Sequence, residues 1–221
     1  MPSSPDISPH WDTVWRTVAG DLNQDPLAAK FLTEDRIRAK ALLALYNSGI
    51  HVGQRAEIDY VATSHSASST ERMDLVLDPL QSATAIAFKY VREPSRTQSQ
   101  LPEQLSSVLA DTYRLSLFAN NPAQTAQRIQ VLVAGHRFLN YMKRITSHLK
   151  ITQYEGNEHT PASLHLTART ASRLPAVITQ KLPPGYQTQD VIITRTTELS
   201  LASKGLTMAV YDVGNQSTML S

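Results

Sequence analysis

The chain reads as an α/β protein: a mixed central sheet flanked by helices, with a β-rich C-terminal extension. Three observations predict this. Two short apolar runs of strand character, 73–77 and 85–91, flank a turn signal that opens with Asp78-Pro79 and closes at Ser82, which predicts a β-hairpin. A helical stretch over 103–118 then leads to 129–134, an apolar run of strand length that fits a strand covered on both faces. From Ile151 onward Thr, Ser and Gln dominate, and the best segments, 191–194 and 208–213, are again strands. On this pattern residues 1–150 form the core, including an N-terminal helix, and residues 151–221 form an extension packed on it.

Taken in order, Ser8-Pro9 followed by Trp11, Val14, Trp15 and Val18 predicts a helix with Pro at its first position and an apolar stripe at i, i+3, i+4 and i+7. The stretch from Gly20 to Pro26 is expected to end it. A second helix should start after Thr33, a good N-cap, and run to Asn47 with Ile37, Ala41, Leu42 and Leu45 inward. Glu34 falls on that inner face, either as a favourable charge at the helix start or as a site residue. Segments 50–52 and 57–61 read as extended, with Glu57 a surface residue and a reserve ligand. A serine-dense loop over 63–70 leads into Arg72 and Asp74.

After Val91 comes a polar loop ending in Pro102, and Glu93 shares strand parity with Lys89. In the following helix Leu105, Val108, Leu109, Leu115 and Phe118 face inward, while Gln104, Asp111, Tyr113 and Arg114 decorate the outside. Asn120-Asn121-Pro122 ends it. Beyond the buried strand, Gly135-His136-Arg137 turns into a short helix carrying Phe138, Leu139, Tyr141 and Met142. His136 sits at a strand end, where ligands bind in α/β folds.

Composition bounds the function. With 221 residues, 41 % apolar and 18 % charged, the chain can bury a core and matches a soluble globular protein. No run approaches the roughly 20 apolar residues of a membrane span. Met1-Pro2-Ser3-Ser4-Pro5 lacks the layout of a secretory signal, so a cytoplasmic protein that does not engage membranes is expected. The absence of cysteine excludes disulfides and thiolate zinc sites. No phosphate-cradling lysine loop, dinucleotide fingerprint or histidine ligand spacing is present. The net charge is only +2, yet residues 89–150 hold nine Lys/Arg against the three acids Glu93, Glu103 and Asp111. Such an excess suits a phosphate-tracking surface, or simply a solvated one. Arg72, Arg92, Arg96, Lys143 and Arg144 are the candidate nucleic-acid contacts.

The hairpin carries the chemistry. Each of its apolar strands holds one ionisable residue that a core tolerates only when it is paired or binds a metal, Asp74 in the first and Lys89 in the second. This layout resembles the PD-(D/E)xK nuclease superfamily, in which an Asp on one strand is followed on the next by an acid-x-Lys tripeptide. The resemblance covers about residues 34–142. It implies a restriction-endonuclease-like core in which two acids hold Mg²⁺ or Mn²⁺ and the lysine orients or helps activate the attacking water. Asp74 fits the first acid, Lys89 the lysine, and Glu34 the supporting acid that many members carry on the first core helix. Ala87 occupies the position of the second acid. Either that acid has been replaced to inactivate the enzyme, or the natural protein has lost it. Retention of Asp74 and Lys89 favours the first.

The expectation is therefore a Mg²⁺-dependent DNA endonuclease, acting in bacterial restriction or antiphage defence, with Asp74, Ala87, Lys89 and Glu34 as the catalytic positions and Asp74 and Glu34 on the metal. Here Ala87 would leave it inactive. DNA is the expected partner, with a homodimer or a larger defence complex as the assembly. The alternative is a catalytically inert nuclease-fold module that binds DNA or a partner protein. A third reading makes Asp74 and Lys89 a structural ion pair.

Overall fold

The structure is a computed structural model and describes residues 10–25, 31–50, 56–63, 70–78, 83–92, 100–118, 127–153, 160–182 and 190–215. Helix α1 spans Trp11–Gln24 and helix α2 spans Glu34–Asn47. Strands β1 (Ala56–Thr63), β2 (Thr70–Leu77) and β3 (Thr84–Val91) follow, then helix α3 (Leu101–Leu117), β4 (Gln127–Gly135) and helix α4 (His136–His148). The C-terminal part contributes β5 (Thr152–Gln153), β6 (Ser163–Leu166), the one-turn helices α5 (Ala168–Ala171) and α6 (Ala176–Thr179), β7 (Val191–Leu201) and β8 (Leu206–Asn215). Among the described residues no helix is long and apolar enough to cross a membrane.

All eight strands join one mixed sheet in the order β1-β2-β3-β4-β8-β7-β6-β5. The β2–β3 hairpin is antiparallel, and Asp78 at its turn takes a left-handed φ of 51°, a conformation Asp tolerates better than most residues. Strands β3 and β4 are the parallel pair, which requires a crossover, and α3 is that crossover. β4 is apolar on both faces, so leaving either of its edges open would invite non-native pairing. β8 closes the edge that β3 does not. Residues 151–215 thus continue the sheet edge to edge. The β7–β8 hairpin reverses through a 3₁₀ turn at Ala202–Lys204 and Gly205, whose φ of 63° favours glycine.

Alternation along the strands sorts the core into two layers. On one face Ala85, Ala87, Val91, Leu132 and Ala134 pack with α3 and α4 through Leu105, Leu109, Phe138 and Met142. On the other, Ile86, Phe88, Val131, Val133 and Val210 meet α1 and α2 through Trp15, Val18, Ile37 and Leu45. Full burial of one such large side chain contributes roughly 1.5–3 kcal/mol, so Trp15 and Phe88, in edge contact at 6.5 Å, fix where α1 sits.

Three local expectations change. Helix α1 continues through Gly20 to Gln24, because the residues beyond it that bury, Leu22 above all, offset a glycine cost of about 1 kcal/mol. Its N-cap is His10; Ser8 and Pro9 lie outside the described residues. Tyr113 is fully buried in the layer beneath α3 rather than on its outer face.

Candidate active site

The site lies where the hairpin comes apart. β2 and β3 pair only at Leu77↔Thr84, Val76↔Ala85 and Leu75↔Ile86. Beyond Leu75 the strands separate, and the alternation of β2 slips: Met73 packs in the α3 layer while Leu75 and Leu77 pack in the other. The edge of β3 facing the gap must find other acceptors, since unpaired buried N–H groups are costly. Two carboxylates serve. Asp74 Oδ2 accepts from the Phe88 N–H at 2.7 Å, and Glu34 Oε1 accepts from the Tyr90 N–H at 3.2 Å.

Glu34 reaches β3 because it is the first residue of α2, whose start is fixed by the Thr33 hydroxyl accepting from the Arg36 N–H at 3.2 Å. From the next turn, Arg38 donates to the Asp74 carbonyl at 3.3 Å and pairs with Asp35 at 2.6 Å. The helix start is thereby tied to the strand carrying Asp74.

Lys89 does not pair with Asp74. Its Nζ lies 3.0 Å from Asp111 Oδ2 and 3.3 Å from Glu34 Oε1. Asp111 also accepts from Arg114 at 2.8 Å. The Lys89 and Asp111 side chains are only 18 % and 15 % exposed, so little water shields this pair, while Glu34 is 43 % exposed and couples more weakly. Glu34, Asp74, Ala87, Lys89, Asp111 and Arg114 together line a cleft of about 250 Å³.

Asp111 is the cleft residue that was not among the sequence candidates. Sequence reasoning read it as an outer decoration of its helix. Its position gave the signal: at i+3 from Val108 and i−4 from Leu115, it lies on the stripe that faces the sheet. A buried polar clamp sets that helix against the sheet. The Thr112 hydroxyl donates to Gln130 Oε1 at 2.6 Å, and Gln130 Nε2 donates to the Val108 carbonyl at 3.0 Å. Gln130 stands on β4 directly across from Ala87, which is 7 % exposed.

Electrostatics follow from this geometry. Burial raises the pKa of Asp74, the Phe88 N–H opposes that, and the charges of Asp111 and Glu34 raise it further. For Lys89, burial disfavours the charge, but Asp111 and Glu34 together outweigh it and hold its pKa above the ordinary value. Lys89 is an ammonium at neutral pH, among carboxylates that repel one another.

The other sequence candidates lie outside the cleft or outside the described residues. Arg72 lies on β2 opposite Val61. Arg92 is exposed just past β3, its carbonyl accepting from Gln104 at 2.9 Å. Lys143 and Arg144 are exposed on α4. His136 is exposed at the start of α4, its ring 2.9 Å from Asn140. Glu57 lies on β1, opposite Val76. Glu93, Arg96 and the serine-dense stretch 64–69 lie outside the described residues.

The donor set is one of hard oxygens, suited to Mg²⁺ or Mn²⁺. Among the described residues no three of His, Cys, Asp and Glu converge as a ready-made metal cage. Burial above all, and then the charges of Asp111 and Glu34, raise the pKa of Asp74, and a cation beside it would oppose that rise. No protein-family profile, curated protein or solved structure matches this chain.

Proposed function

We propose that the chain is a metal-dependent nuclease with a restriction-endonuclease-like core, and that Asp111 supplies the carboxylate missing at position 87. The observation that carries this reading is an open cleft, where two strands part, that Asp74 lines together with Lys89 and the two acids paired to it, Asp111 and Glu34. Hydrolysis of a phosphodiester needs negative charge neutralised at the phosphorus and a water held in line. Asp74 and Asp111, with Glu34 beside them, would hold Mg²⁺ or Mn²⁺, which when bound polarises the phosphate and lowers the pKa of a water.

The protein's own part falls to Lys89. With two N–H groups directed to Asp111 and Glu34, a third remains to orient the water or to steady a phosphate oxygen as charge develops there. Glu34 positions Lys89 and the end of β3 together. DNA is the proposed substrate, and a place in restriction or antiphage defence rests on the resemblance alone.

The test is cleavage of supercoiled plasmid with Mg²⁺ or Mn²⁺. The chain as it stands should nick or linearise it, and Lys89→Met should slow cleavage by roughly 10²–10⁴-fold. Asp111→Asn should abolish cutting, and Ala87→Glu placed on top of it should restore part. Cutting that appears only with Ala87→Glu, indifferent to Asp111→Asn, would return the second acid to β3. No cutting by any form, with DNA still bound, would favour the inert binding module.

A further inference from the structure

We infer that the exposed face of α4 is a rail for the phosphate backbone of a nucleic-acid duplex leaving the site. The inference rests on the nuclease reading for its choice of polyanion, and on separate residues for its evidence.

Topology places the rail. β3 and β4 run parallel with Lys89 opposite Leu132 and Val91 opposite Ala134. Arg92, one residue past β3, therefore stands beside Gly135, where β4 ends and α4 begins. The start of α4 lies at the same end of the sheet as Lys89, about 10 Å further along at roughly 3.3 Å per strand residue. α4 also packs on the face of the sheet that carries α3 and Asp111.

Burial then decides which side of α4 is presented. Phe138, Leu139, Met142 and Thr146 are buried against the sheet. His136, Asn140, Lys143, Arg144, Ser147 and His148 are exposed. The guanidinium of Arg144 lies 5.6 Å from the centre of the Tyr141 ring, which fixes the cation on a rigid base.

Charge selects the partner. From Thr112 to Tyr154 the chain has no Asp or Glu, while it carries Arg114, Arg128, Arg137, Lys143, Arg144 and Lys150. A solvated helix face ordinarily interleaves both signs; a run of one sign beginning beside a cleft favours a polyanion. Arg137 and Lys143 or Arg144 are about 10 Å apart along the axis at 1.5 Å per residue. A continuous backbone can therefore meet Arg92, Arg137 and the Lys143-Arg144 pair in succession.

The experiment is the salt dependence of binding, in EDTA so that cleavage does not enter. Fluorescence anisotropy of a labelled 20-base-pair DNA duplex would be followed from 50 to 300 mM KCl for the chain and for Lys143→Gln/Arg144→Gln. The double variant should flatten the slope of log K against log salt by about 2 and weaken binding near 0.1 M salt roughly 10- to 100-fold. Arg16→Gln, on α1 across the sheet, should leave the slope unchanged. An unchanged slope in the double variant overturns the rail. So does preferential binding of the chain to phosphatidylserine vesicles, lost in the double variant, with no measurable duplex binding. A reduced slope in a protein that never cuts would retain the rail and retire the nuclease reading; cutting with an unchanged slope would do the reverse.

Discussion

The sheet carries two clusters of buried charge, and they are built on opposite plans. In the C-terminal half Arg195 and Glu198 form one pair, 7 % and 17 % exposed, at 3.2 Å. Glu198 also accepts from the backbone and hydroxyl of Thr160, and Arg195 donates to the Thr160 carbonyl at 2.8 Å. Both also bond Thr160, beside a β-bulge in β7. At the other cluster Glu34 and Asp111 pair with Lys89, Asp74 lines the same cleft, and Arg114 and Arg38 flank them. The first arrangement is closed and balanced, as a structural pair must be to offset its desolvation. The second is open, and its Asp74 carboxylate is disfavoured by burial and by the charges of Asp111 and Glu34, a kind of perturbation that recurs at binding sites.

The largest effect should come from opening the balanced cluster. Arg195→Met removes a buried cation from beside the mostly buried Glu198 and should cost about 3–5 kcal/mol in urea unfolding. A loss below about 1 kcal/mol would mean that this pair is no more structural than the other.

Asp74→Asn should do the opposite. The amide oxygen can still accept from the Phe88 N–H, while a charge repelled by Asp111 and Glu34 is gone. Stability at neutral pH should hold or rise as cleavage is lost. The pH dependence has a definite sign. Because the folded pKa of Asp74 lies above the unfolded value near 3.9, its charge costs nothing when both states are protonated at low pH. The cost grows as pH rises through the window between the two values and is complete above it. The stability advantage of Asp74→Asn should therefore widen from pH 3 to neutrality. A constant difference across that range would remove the electrostatic argument.

The smallest effect sharpens the comparison from inside the site. Gln130→Met with Thr112→Val replaces both members of the clamp by apolar groups of similar size, which should change stability by less than about 1 kcal/mol. Freed of its directional constraint, α3 should hold Asp111 less well against Lys89. Cleavage should fall about tenfold in kcat, with KM nearly unchanged, and the Lys89 ammonium should titrate at lower pH by NMR. Equal losses of stability and rate would make the clamp merely structural.

Much of this was legible in one dimension. The hairpin, the N-cap at Thr33, the inward face of α2 and the doubly buried β4 follow from local rules: turn residues, helical spacing, and apolar runs too short for anything but a strand. Asp74 and Lys89 were visible as charges where a core would not want them, and Glu34 as an acid on the inner face of its helix. Other features depend on contacts between segments far apart in sequence. Asp111 looked like surface because an acid on a helix usually is. Its role needs α3 to cross from β3 to β4 and turn that residue toward Lys89, which Gln130 enforces from a strand nearly twenty residues later. The place of β8 beside β4 likewise has no local signal, since any exposed strand edge would accept it.

The sequence by itself determined the main helices, the central strands and which of those strands carry charge, because backbone geometry and side-chain periodicity are local. Only the tertiary structure decided which charges meet. It parted β2 from β3 at Asp74, set Lys89 between Asp111 and Glu34 rather than against Asp74, and brought the acid-free helix α4 to the same end of the sheet. Electrostatic partnership depends on distance in space, and the spacing of residues along the chain does not contain it.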